Sequence, residues 1–147
     1  MNRRTFLLAA VLAALSGRTE AAPPLVEVYK SPTCGCCNDW VKHLRANGFE
    51  VRATDVREPG ELRRRFGMPD ALGSCHTARV GGYTVEGHVP ARDIHRLLKE
   101  RPDALGLAVP GMPVGSPGME AGSRLDPYDV LLVGRDGRPR VYARYGK

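Results

Sequence analysis

Three of the chain's four cysteines fall within four positions, in SPTCGCCNDW over residues 31–40. Cys34 and Cys37 have the C-x-x-C spacing of a redox dithiol, whereas Cys34, Cys36 and Cys37 together read C-x-C-C, one sulfur more than such a pair uses. Two chemistries fit: thiol–disulfide exchange, with Cys34 attacking and Cys37 resolving, or a nest of thiolates for a soft metal. Both require thiolate rather than thiol. The fourth cysteine, Cys75, stands in GSCHTARV. Structural disulfides explain the pattern less well. Adjacent Cys36 and Cys37 cannot bridge each other without strain, and a chain of 147 residues buries enough core to do without staples. No Ser/His/Asp arrangement, phosphate loop or paired acid motif stands in the sequence, which favours a metal-binding protein over an enzyme.

The elements that must position these sulfurs can be read on either side of them. PLVEVYK predicts a strand over 25–30, and SPT is turn chemistry. CCNDWVKHLRANG has helical spacing from Cys36 to Ala46, closed by Asn47-Gly48. FEVRATDV reads as a second strand, and a strand–helix–strand unit favours a parallel pair. Cys34 therefore arrives at a helix start, where backbone N–H groups favour anionic sulfur. Cys37, with Val41 and Leu44 at i+4 and i+7, faces the core; Cys36 shares its side with Trp40 and His43. EPGELRRRFGMP predicts a short second helix with Leu62 and Phe66 on one face. TARVGGYTVEG predicts a hairpin turning at Gly81-Gly82, and VPARDIHRLLKERP a third helix with Ile94, Leu97 and Leu98 buried. Residues 102–127 are rich in Gly and Pro and read as loop; YDVLLVGRDGRPRVYARY reads as a closing hairpin turning at Asp136-Gly137. This order is that of an α/β fold with a thioredoxin-like mixed sheet and flanking helices. The Gly/Pro-rich loop and the C-terminal β-hairpin are additions to it.

In such a sheet the segment before the third strand lies beside the C-x-x-C. Thioredoxins carry a cis-proline before a threonine there, whereas here His76 precedes Thr77 and Cys75 is next to it. The departure weighs against the redox pair and supplies a fourth thiolate. His76 can serve as an accessory ligand or as a donor behind the metal, as readily as a structural histidine. Met112 and Met119 lie seven apart in the loop; a thioether is a soft ligand for Cu(I), although plugging an apolar gap is the plainer use. His88 reads as the residue leading into the third helix, His43 and His95 as solvated, and Trp40 as core.

Overall composition is that of a globular domain, 42% hydrophobic and 26% charged. Residues 1–22 differ. MNRR is basic, TFLLAAVLAAL is an apolar run, and SGRTEAA offers small residues with cleavage expected after Ala21 or Ala22, the layout of an export signal. The run is too short for a comfortable membrane span of about 20 residues, so no stable span is expected once the signal is removed. NRRTFL also resembles a twin-arginine signal but lacks the usual lysine. Removing the signal takes away three arginines and one glutamate and lowers the formal charge from +6 to +4. That charge is scattered and reads as solubility rather than nucleic-acid binding. Residues 23–147 then form one thioredoxin-like metal-binding domain, expected in the periplasm.

SPTCGCCNDW, GSCHTARVGGYTVEGHVPA and GLAVPGMPVGSPGME together resemble the exported CopG family of copper-resistance proteins, a former domain-of-unknown-function group of thioredoxin-like metal binders. The resemblance spans essentially the whole chain after the signal. It implies copper bound by Cys34, Cys36, Cys37 and Cys75 as a multi-copper thiolate cluster in the periplasm, with other copper-handling proteins as partners. Charge agrees: four thiolates leave −3 around one Cu(I) and −2 around one Zn(II), while thiolates bridging several Cu(I) ions approach neutrality. Zinc ranks second among metals. The rivals to a copper-tolerance function are an exported thiol–disulfide oxidoreductase using Cys34 and Cys37, and a copper-dependent redox protein.

Overall fold

A computed structural model describes residues 20–147. The export signal expected over 1–22 falls almost wholly outside the described residues; Ala21 and Ala22 are exposed ahead of the first strand. Strand β1 (Leu25–Lys30) leads into helix α1 (Gly35–Ala46), strand β2 (Glu50–Asp55) and short helix α2 (Pro59–Arg65). After a 3-10 turn come the β3 (His76–Val80) and β4 (Tyr83–Glu86) hairpin, α3 (Ala91–Glu100), and strands β5 (Gly106–Ala108), β6 (Tyr128–Val133) and β7 (Pro139–Tyr145). The seven strands among the described residues form one mixed sheet in the order β2-β1-β3-β4-β5-β6-β7. β1 runs parallel to β2 and antiparallel to β3, as the thioredoxin-like reading requires.

Alternation along β1 sorts the layers. Val26 and Val28 join Trp40, Val41 and Leu44 of α1 and Ile94 and Leu97 of α3 in the main core. Tyr29, on the opposite face, meets Phe66 at the end of α2, with ring centroids 5.6 Å apart. Helices therefore flank both faces, and each fully buried aliphatic side chain contributes about 1.5–3 kcal/mol. The β3–β4 connection is the expected two-residue turn. Gly81 and Gly82 take φ of +55° and +87°, the doubly positive pattern that suits the twist of a tight hairpin.

One element departs from expectation. Within the segment read as loop, Gly106–Ala108 forms β5, parallel to β4 and antiparallel to β6. Its three residues are all buried, so it shows neither length nor alternation by which a pattern could reveal it. Through β5 the C-terminal hairpin continues the main sheet rather than standing apart. Arg92 and Arg96 of α3 pack over the rings of Tyr145 and Tyr142 and fasten β7 to the helix. No helix among the described residues is long and apolar enough to cross a membrane.

Candidate metal centre

β1 ends at Lys30, and the turn SPT hands the chain to α1 with Cys34 as its N-cap. No side chain caps this helix, and its first turn holds no acidic residue. The outward N–H groups and the positive end of the helix dipole are thus left to the cysteine sulfurs. Cys37 is fully buried on the core side, while Cys34 and Cys36 are half-buried. Cys75 reaches the same point from the start of β3. The four sulfurs lie within 4.8 Å of one another, so the structure brings together all four predicted cysteines. Cys34 and Cys37 are joined as a disulfide, leaving Cys36 and Cys75 free. Cys36 Sγ stands between the two, 3.5 Å from Cys34 Sγ and 3.9 Å from Cys75 Sγ.

A second group of donors backs the first. His76 and His88 are both fully buried, and with Cys75 they offer ligand atoms within 4.8 Å of one another. His88 Nδ1 lies 2.7 Å from the Pro117 carbonyl oxygen, to which it can only donate. That fixes the tautomer and leaves His88 Nε2 a bare acceptor, 3.1 Å from Cys75 Sγ. His76 Nδ1 sits 3.3 Å from the same sulfur. His76 Nε2 is the sole buried side-chain nitrogen or oxygen among the described residues without a hydrogen-bond partner. Burial, aided by neighbouring His88, holds the His76 imidazole neutral down to a pKa of about 3; burial also lowers that of His88. Burial and then nearby Cys36 push the Cys75 thiol up to about 12. A metal binding there must therefore displace a proton from sulfur.

The sequence pointed to His76, and it is in place. It missed His88, read as a lead-in to α3 but buried against Cys75. The available signal was the hairpin register: β3 and β4 pair Thr77 with Glu86, and two further steps set Cys75 opposite His88. His43, read as solvated, is half-buried, and its Nε2 accepts the Ala91 N–H at 3.0 Å, capping α3. Trp40 is core, as expected, and its ring also lies 4.3 Å from that of His76.

Two further features hold the site in shape. Glu86, fully buried, accepts from Ser74 N–H at 2.8 Å, from Thr77 Oγ1 at 2.5 Å and from Arg63 Nη1 at 3.3 Å. Arg63 also donates to the Ser74 carbonyl at 3.3 Å. Both backbone groups of Ser74, and with them the approach to Cys75, are thus gripped by one ion pair. On the other side the Gly/Pro loop folds back over α1. A Cβ at Gly118 would come within 2.8 Å of Cys36 O and Trp40 N, and its φ is +88°, so only glycine lets the loop lie this close. Met119 follows it, half-buried, while Met112 remains 52% exposed.

No curated protein sequence matches the chain. A family model described as "Protein of unknown function, DUF411" matches residues 72–119, the stretch carrying Cys75, both buried histidines and the loop. Two solved structures, "Copper resistance protein copG- Form 1" and "Copper resistance protein copG- Form 2", each superpose with a TM-score of 0.80 at 50% identity, covering 84% of this chain and 98% of theirs. Half the residues are shared over nearly the full length of those proteins, and the cysteine constellation fits a metal: the chain belongs to the CopG family of copper-resistance proteins.

Proposed function

We propose that the protein is an exported, periplasmic copper-binding protein that holds Cu(I) through Cys34, Cys36, Cys37 and Cys75 and serves copper tolerance. The observation that carries this reading is the convergence of four sulfurs within 4.8 Å of one another at an uncapped helix N-terminus. Thiolates select soft ions. The Cys36–Cys75 separation of 3.9 Å is close to the edge of about 3.8 Å expected for thiolates around a single tetrahedral zinc with Zn–S of about 2.3 Å. Spacing alone therefore suits either metal. Charge favours several Cu(I) ions sharing bridging thiolates, since four thiolates on one ion leave −2 or −3 in a half-buried site. The relatives' name, copper resistance protein, supports copper, and the basic, apolar and small-residue stretches of residues 1–22 support export.

All four sulfurs become available as thiolates only when a thiol reductant, itself oxidised to a disulfide, has passed two electrons to the Cys34–Cys37 bond. The same bond favours a second reading, an exported thiol–disulfide oxidoreductase with Cys34 attacking and Cys37 resolving. The experiment that separates them is an anaerobic Cu(I) titration of the reduced protein, lacking residues 1–22, against a chromophoric competitor. Tight uptake of more than one copper per chain supports the cluster; weak or absent uptake overturns it and leaves the redox dithiol.

A further inference from the structure

We propose that the cleft at the turn end of the β3–β4 hairpin binds a small carboxylate or phosphate group, held by Arg101 and Arg135. It lies six residues of extended chain, about 20 Å, from Cys75, and involves none of the sulfurs or buried histidines. Its cavity of about 320 Å³ opens between the Gly81-Gly82 turn, the end of α3 and the turn that follows β6. That volume is at the small end of the range for ligand pockets.

Three observations carry the assignment. The first is a backbone conformation. Arg101 is the one non-glycine residue among those described with a positive φ, at 50°. It ends α3 in the left-handed conformation, donating its N–H to Leu97 O at 2.9 Å. Glycine takes that helix stop without strain, so the backbone gains nothing from arginine there. What arginine adds is a guanidinium on the wall of the cleft.

The second is that this guanidinium is held before any ligand arrives. Its Nη1 donates to Gly81 O at 2.7 Å. The group also lies 4.8 Å from the centroid of the Tyr83 ring, whose hydroxyl donates to Pro102 O at 2.7 Å. Gly81 admits it: a Cβ there would come within 3.0 Å of Arg101 Nη1. Among the described residues the guanidinium makes no other hydrogen bond or ion pair. N–H groups therefore remain for the planar two-oxygen contact that arginine makes with carboxylate and phosphate.

The third is charge. Arg135 lines the opposite wall, paired with Asp103, so the lining carries a formal +1. Residues 23–134 balance at fourteen basic and fourteen acidic, whereas residues 135–147 hold five basic and one acidic. The excess charge left after signal removal thus sits on the hairpin that supplies Arg135, where it draws anions toward the cleft.

The test is a proton–nitrogen NMR titration at fixed pH and ionic strength, with acetate, inorganic phosphate and chloride as probes. The expected result is saturable shifts of the Gly81, Gly82, Arg101 and Arg135 amides with acetate or phosphate and none with chloride. Saturation by acetate assigns a carboxylate ligand and saturation by phosphate a phosphoryl one; either supports the cleft. Arg101→Gly keeps the left-handed stop, so the fold persists, and should weaken binding by about tenfold or more. Asp103→Asn frees Arg135 from its pair and should tighten binding about two- to fivefold, a gain that a merely structural role would not produce. Shifts that grow linearly and match those of chloride overturn the site, as does saturation unchanged in Arg101→Gly. Binding that Asp103→Asn leaves no tighter overturns it too.

Discussion

Cys75 and His88 face each other across the open end of the β3–β4 hairpin, with Sγ and Nε2 3.1 Å apart. The cysteine is fixed from behind by the Glu86–Arg63 pair gripping Ser74, and the histidine from above by Pro117. Each support makes the site sensitive to residues that touch no sulfur.

Cys36→Ser and Cys75→Ser should each lower the Cu(I) stoichiometry of the reduced protein to one ion or none, while the Cys34–Cys37 dithiol still cycles between reduced and oxidised. Competitor titration gives the first number and thiol counting before and after mild oxidation gives the second. A Cys36→Ser protein that still takes up several copper ions contradicts the cluster.

Glu86→Ala should destabilise the metal-free protein by about 3 kcal/mol, the low end for breaking a buried ion pair, because Arg63 keeps Asp70 and some solvent. It should also weaken copper binding, since Ser74 N–H loses its acceptor and Cys75 its fixed approach. Urea denaturation and competitor titration check the two effects. Glu86→Gln should recover part of the stability by keeping an acceptor for Ser74.

Gly118→Ala places a methyl group against backbone atoms of α1 at a positive φ. A cost of about 1–3 kcal/mol is expected. If the loop yields instead of the helix, the His88–Pro117 hydrogen bond opens. Amide exchange along residues 110–120 is the measurement, with faster exchange expected in the variant. Protection equal to wild type would show that the close approach does not hold the loop.

Acid should weaken the metal-free protein. The His76 pKa is lowered from 6.5 to about 3 by burial, so between these values the unfolded chain binds a proton that the folded one does not. The stability contribution is fully present above pH 6.5 and is lost as pH falls toward 3, with a slope approaching about 1.4 kcal/mol per pH unit. Urea midpoints at pH 7, 5 and 4 should fall in that order, and His76→Phe should flatten this part of the trend. An unchanged slope in that variant would remove His76 as the cause.

Much of this was legible in the chain. The C-x-C-C spacing, the alternating β1, the Gly81-Gly82 turn and the Asn47-Gly48 helix stop are local signals, each set by a few neighbouring residues. They sufficed for the order of the seven elements from β1 to α3 and for where the sulfurs meet. What stayed hidden depends on contacts between distant segments. β5 is a three-residue strand whose partners fix it. His88 is a ligand candidate only because the hairpin register returns it to Cys75. His43 caps a helix 48 residues away. The grip of Glu86 on Ser74 cannot be seen in sequence, since buried and surface glutamates read alike.

For the copper proposed to bind here, the uneven depth of the four sulfurs sets an order of release. Cys37 lies fully buried, while Cys34, Cys36 and Cys75 reach partway to the surface. For an ion passed on by stepwise ligand exchange, an incoming thiolate or thioether meets the outer sulfurs first, and Cys37 is the last to let go. The residence time of the metal is then governed by its innermost anchor, and an acceptor gains its first foothold on the outer face formed by Cys34, Cys36 and Cys75.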